Sequence, residues 1–179
     1  MNFLLDLLLD IVTLILAPGG ERSKKKGSKK EKPQPSDPHS DAPVPHDSYF
    51  LPENMPLPDF EYRPSQDGNA DPGEVVWAWV PYEDNPTQGK DRPVLVLAEI
   101  QNGFVCAQMT SKNHKDFKET RWGRRWMDIG TGSWDRQHRN SEVRLDRFVF
   151  VPAHAVRREG GRVNETTYKK VVTAIKALR

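Results

Sequence analysis

Between Thr110 and Ser141 the chain interleaves cations with large aromatic rings. Lys112, His114, Lys115, Lys118, Arg121, Arg124, Arg125, Arg136 and Arg139 share this stretch with Trp122, Trp126 and Trp134. Stacking on indole is worth about 1 to 3 kcal/mol per base, and cations neutralise phosphates, so the mixture suits single-stranded nucleic acid. Tryptophans held in a core for packing alone would produce the same sequence. Histidine is the acid and base available near neutral pH, which singles out His114, His138 and His154. Arg92, just ahead of one apolar run, and Thr110, at the end of another, add a guanidinium fork and a hydroxyl. Taken alone, Arg92 is better explained by a salt bridge at a strand mouth and Thr110 by ordinary β-propensity.

Strands must hold these groups. Residues 75–80 (VVWAWV) form a β-branched and aromatic run that stops at Pro81, where a backbone donor is missing. Residues 93–98 (PVLVLA) are apolar throughout and read as a strand buried on both faces. Asn102-Gly103 then leads into the apolar run 104–109, which predicts a hairpin with a type I′ turn and positive φ at both residues. After a long excursion, in which residues 129–133 (IGTGS) read as a turn and not as a phosphate loop, residues 142–151 alternate charged and apolar up to Phe148 and then become fully apolar. That pattern predicts a half-buried strand with Glu142, Arg144 and Asp146 on one face and Val143, Leu145 and Arg147 on the other. A charged turn is expected over 157–161, and Asn164 is placed to cap a helix over 165–178 with Tyr168, Val171, Val172, Ile175 and Leu178 on one face. Several strands followed by one helix point to a mainly β fold: a small, strongly bent antiparallel sheet closed as a barrel, with a C-terminal helix.

The 179 residues are unevenly apolar, which favours one compact domain behind a long extension. Residues 73–179 carry 19 Lys and Arg against 13 Asp and Glu, a balance of +6, whereas residues 1–72 carry 8 against 12, a balance of −4. A basic domain attracts phosphate backbones and acidic proteins alike. Cys106 is the only cysteine, which excludes an intramolecular disulfide or thiolate cluster and suits a buried thiol in a reducing compartment.

Residues 1–17 read as an amphipathic, hydrophobic helix with Asp6 and Asp10 one turn apart, shorter than the roughly 20 apolar residues of a membrane span. The lysine-rich run from Arg22 to Lys32 follows it and would be drawn to an anionic membrane surface, with the domain on the cytoplasmic side. The alternative is that the helix packs on the domain or on another copy of itself. Residues 18–72, basic and then proline-rich, read as a disordered linker, although Phe50, Leu51, Phe60 and Tyr62 could dock onto the domain.

Gly73-Glu74-Val75-Val76-Trp77, the run 89–97 (GKDRPVLVL), Met109-Thr110-Ser111 and residues 141–146 (SEVRLD), in this order, resemble the PemK/MazF family of toxins from type II toxin–antitoxin systems. The resemblance covers residues 73–179 and none of residues 1–72. It implies an SH3-like barrel, a homodimer with RNA across its interface, and metal-independent, cofactor-free cleavage of single-stranded RNA. It also implies inhibition by an antitoxin that occupies the RNA groove and is expected to be acidic. Arg92 and Thr110 then match the family's catalytic pair, and Arg144-Leu145-Asp146 matches an Arg-x-Asp that also takes part. Glu83, Ser111, Lys112, His114, Trp122, Arg124 and Trp126 are expected against the RNA. The tryptophan-rich excursion and the N-terminal extension depart from the family pattern.

Cleaving RNA through its own 2′-OH needs a base for that proton, a donor to the phosphoryl oxygens and an acid for the departing 5′-oxygen. Arg92 offers a fork to the phosphate and Thr110 a donor to an equatorial oxygen. Asp146 or Glu83 would accept the proton if burial raised its pKa. The competing reading is a catalytically silent barrel that binds nucleic acid or a protein partner at the membrane surface.

Overall fold

The structure, a computed structural model, describes residues 47–65, 67–114 and 123–179. The expected helix over 1–17, the basic run, the first part of the linker and Trp122 lie outside the described residues. Among the described residues the strands are β1 (Tyr49–Phe50), β2 (Glu74–Pro81), β3 (Gly89–Ile100), β4 (Gly103–Thr110), β5 (Trp126–Gly130), β6 (Ser141–Pro152) and β7 (Arg158–Arg162), followed by helix α1 (Glu165–Lys176). They form one antiparallel sheet in the order β1-β6-β4-β3-β2-β7, with β5 paired to β6 off that path. The mainly β fold with a C-terminal helix is the one expected.

Alternation along the strands builds two apolar clusters. Val75, Leu95, Leu97, Val105, Ala107 and Met109 point to one side, where Tyr168, Val171 and Ile175 of α1 cover them. Val76, Ala78, Val80, Val94, Val96, Cys106, Val149 and Val151 point to the other side, buried with Ala70 and with Ala155 of a short 3-10 turn at Ala153–Ala155. Strand residues can be fully buried in this way only if the sheet curls over on itself. Asn164 caps α1 as expected, its side-chain oxygen accepting from the Thr167 N–H at 2.8 Å. The helix ends at Lys176, two residues early, and Leu178 is left 44% exposed.

Several expectations are corrected. Ile100 pairs with Gly103, so the hairpin loop is Gln101-Asn102, and only Asn102 takes a positive φ, 63°. Gly103 already belongs to the ladder because β4 pairs with β6 as well as with β3. A Cβ there would lie 2.5 Å from the Val151 carbonyl oxygen, so glycine serves close approach and not turn geometry. Residues 157–161 are not a simple turn, since Arg158–Arg162 is a strand on β2, with Gly161 at φ 123° where the register shifts. Ile129 and Gly130 close strand β5 and precede the turn that was expected over 129–133. The face of β6 expected to be solvated is instead buried at Glu142 and Arg144, 7% and 4% exposed, because β4 and β5 flank the strand there.

The linker expected up to residue 72 gives way by residue 47 to chain lying on the domain. β1 pairs with β6, Leu51 is buried, and the Leu51 N–H donates to the Phe148 carbonyl at 3.0 Å. Phe60 and Tyr62 pack on the first cluster, and the Tyr62 hydroxyl donates to the Val163 carbonyl at 2.9 Å.

Candidate active site

The site begins where a ladder stops. Pairing of β2 with β3 continues through Trp77–Pro93 to Pro81–Gly89, whereas pairing of β3 with β4 ends at Val94–Gln108. Pro93 has no N–H to give, and it sits where β4 has ceased to pair. Arg92 lies two residues beyond the last pair on β3 and Thr110 two residues beyond it on β4. By strand alternation Thr110 and Gln108 share a face, and continuing the register sets Arg92 opposite Thr110.

A cavity of about 140 Å³ opens here, lined by Phe50, Pro81, Tyr82, Glu83, Asp84, Arg92, Gln108, Arg124, Trp126 and Arg144. Arg92 is half-buried, and its buried Nε has no hydrogen-bond partner among the described residues. Burial, with Arg124 adding its charge against an opposing effect of Tyr82, pulls the Arg92 pKa below its ordinary value. It stays protonated at any working pH. Lys90 is likewise lowered, first by the charge of Arg92, then by burial and by Lys112. Lys90 is therefore repelled by both Arg92 and Lys112, a tension that a phosphate would relieve.

Beside them stands an ion cluster. Glu83, on the loop between β2 and β3, pairs with Arg144, with Arg124 at 3.0 Å and with Arg147 at 3.9 Å, and Arg144 pairs with Asp146 at 2.7 Å. Asp146 also accepts from the Arg125 N–H at 2.6 Å. Burial raises the Glu83 pKa, but the hydrogen bonds and charges of Arg144 and Arg124 outweigh it and hold the carboxyl below its ordinary value. The upward shift that would suit Glu83 to accept a proton is opposed by its arginine partners. Its carboxylate lines the cavity and ties together arginines from two other segments.

On the far side of Thr110, Glu142 is its cross-strand partner and also accepts from His114 twice: from the backbone N–H at 2.9 Å, and at Nδ1, which lies 2.5 Å away. The imidazole stacks on Trp126, with ring centroids 4.8 Å apart and planes 5° from parallel. The Thr110 hydroxyl oxygen accepts from the Lys112 N–H at 3.1 Å, which leaves its own proton to donate.

Arg92, Glu83, Arg124, Trp126 and Arg144 thus line one cavity, with Asp146 bonded to Arg144 and His114 stacked on Trp126, while Thr110 is not among the lining residues. Ser111 and Lys112 form an exposed bend after β4, and Trp122 lies outside the described residues. His138 sits exposed at φ 49°, and His154 faces Asp47 at 3.2 Å, both away from the cavity. Trp134 is core: it is 6% exposed and its indole N–H donates to the Ser141 hydroxyl. Sequence reasoning missed Tyr82, Gln108, Phe50 and the orienting role of Glu142. Of these, only Gln108 had a signal, its i−2 spacing from Thr110 on one strand face. A larger hollow of about 530 Å³ lies beyond the other end of β3, among Asp59, Glu61 and Glu99 with Arg63, and its acidic rim disfavours phosphate.

The model of the PemK-like, MazF-like toxins of type II toxin–antitoxin systems matches residues 71–178, and the chain belongs to that family. Among solved structures, a MazE–MazF crystal structure (Form-III) from Deinococcus radiodurans is similar at 16% identity and a TM-score of 0.44, over 61% of this chain and 94% of that one. No curated protein matches the chain. Among the described residues no helix is long and apolar enough to cross a membrane.

Proposed function

We propose that this toxin is an endoribonuclease that cuts single-stranded RNA through the 2′-OH, without a metal ion. What supports this reading is the half-buried Arg92 in the cavity wall, its Nε without a hydrogen-bond partner among the described residues, two positions past the last β3–β4 pair as Thr110 is on the other strand. Arg92 forks onto the scissile phosphate and Thr110 donates to an equatorial oxygen, so both oppose the charge that grows as the 2′-oxygen attacks phosphorus. The P–O5′ bond breaks, leaving a 2′,3′-cyclic phosphate and a 5′-hydroxyl.

His114 supplies the proton transfer. Glu142 holds its Nδ1 side and Trp126 its plane, which leaves Nε2 for the 2′-OH or the leaving oxygen, the arrangement of an oriented acid–base imidazole. Arg144 and Asp146 position the cavity wall, and Lys90, Lys112 and Arg124 draw in the backbone. In this reading two copies pair to complete the RNA groove, an acidic antitoxin closes it, and the N-terminal segment holds the protein at the inner membrane surface. Sedimentation with anionic vesicles, with and without residues 2–17, tests that last part.

The principal test incubates the full chain with mixed-sequence single-stranded RNA in EDTA. Discrete cuts ending in cyclic phosphate support the nuclease. Binding without cuts supports the silent barrel.

A further inference from the structure

The family model begins at residue 71, yet one wall of the cavity comes from residue 50. We propose that β1 carries Phe50 into the site as a platform for a nucleobase of the RNA, beside the phosphate held by Arg92. This rests on the RNA-cleaving reading above and adds to it a binding subsite supplied by the upstream segment.

The placement of Phe50 is fixed by backbone. β1 pairs with β6 at Tyr49–Phe150 and Phe50–Val149, and Leu51 anchors the next position through its bond to Phe148. Alternation then sends the two aromatics to opposite sides. Tyr49 turns outward, 52% exposed, against the Phe150 ring at 5.1 Å, while Phe50 faces the cavity. The Arg147 guanidinium already lies over one face of the Phe50 ring at 4.3 Å and reaches Glu83, so a base must displace that cation or use the rest of the ring.

The lining agrees with a base. The hollow of about 140 Å³ is open to solvent, so a base would lie across its mouth and against its aromatic wall, not enclosed within it. Phe50, Trp126, Tyr82 and Pro81 offer flat or apolar surface, Gln108 brings an amide that can both donate and accept at a base edge, and Arg92 meets the adjoining phosphate. Leu51, Phe60 and Tyr62 already seal the upstream segment onto the first core cluster. Phe50 also touches the second cluster, and the test must separate packing from stacking.

The test measures binding of the full chain to a mixed-sequence 2′-O-methyl single-stranded RNA, which lacks the nucleophile, by fluorescence anisotropy. Thermal melts of each variant run alongside. Loss of one stacked base corresponds to about 5- to 150-fold weaker binding, which is expected for Phe50→Ala. Phe50→Tyr should bind within about twofold of the unsubstituted chain, and Phe50→Leu, which keeps apolar bulk without a flat ring, should stay weak. Unchanged binding by Phe50→Ala, or full recovery in Phe50→Leu, overturns the proposal. Unsubstituted chain that binds with this dependence on Phe50 yet leaves unmodified RNA uncut supports the platform while refuting the nuclease. Cutting that needs Arg92 but is indifferent to Phe50 does the reverse. A chain that binds no RNA overturns both.

Discussion

Arg144 donates from Nη2 to Asp146 Oδ2 at 2.7 Å and from Nε to both oxygens of the same carboxylate at 3.2 and 3.1 Å, while its Nη1 meets Glu83. The guanidinium is 5% exposed. Each of its three nitrogens is engaged by one of two carboxylates, which fixes the guanidinium in the cavity wall. Removing it takes the most buried partner from Glu83 and Asp146, each about a quarter exposed, and leaves Glu83 to Arg124 and Arg147 and Asp146 to the Arg125 N–H. Arg144→Ala is expected to cost about 3 kcal/mol, the low end for a broken buried pair because both carboxylates still touch water. Urea unfolding measures this, and an unchanged midpoint would show the cluster to be dispensable.

Acid should loosen the same cluster. Glu83 is held below its ordinary value near 4.5, since Arg144 and Arg124 outweigh the opposing effect of burial. A carboxyl depressed in the folded state contributes stability that is fully present above its unfolded pKa and is lost as pH falls through the lower folded value. Wild type should therefore lose more stability than Glu83→Gln between about pH 5 and about pH 3. Parallel losses in urea titrations at the two pH values would refute this.

Tyr168 joins α1 to both β3 and the upstream segment. Its hydroxyl donates to the Leu97 carbonyl at 2.5 Å and lies 3.3 Å from the Glu61 carbonyl, and burial, with the charge of Glu61 adding, pushes its pKa up to about 12. Tyr168→Phe keeps the ring packing against Tyr62 but leaves the buried Leu97 acceptor unmet, at a cost of about 1 to 2 kcal/mol. A melting temperature equal to wild type would mean that the bond contributes nothing net.

Cys106, fully buried within the second cluster, has its thiol pushed up by burial alone. Thiolate is the reactive form, so a thiol reagent at about pH 8 should label Cys106 only after denaturant is added. Rapid labelling of the folded chain would contradict the packing described here.

What was legible in the sequence was local. The runs 75–80, 93–98 and 104–109, the turn between the last two, and the Asn164 cap announce themselves within a few residues, and the structure places strands and a helix there. β7, with the sequence REGGR, has no such signal: pairing with β2 makes it a strand against the preference of two glycines. In the site, Arg92 and Thr110 could be singled out because they end strand-like runs that match a family pattern. The contact between Glu83 and Arg144 spans 61 positions and exists only once β6 is folded against the loop. Phe50 was read as part of a linker because nothing near it shows that Val149 will be its partner.

Cleavage of a single-stranded RNA by Arg92→Ala, compared with wild type and Arg92→Lys under single-turnover conditions in EDTA, tests the proposed chemistry most directly. Loss of a preorganised donor to the developing phosphoryl charge is expected to slow Arg92→Ala by about 10²- to 10³-fold. Arg92→Lys, a point charge without the planar fork, should recover only part of that rate. A rate for Arg92→Ala equal to wild type, with the protein folded, would contradict the assignment of Arg92 to the scissile phosphate.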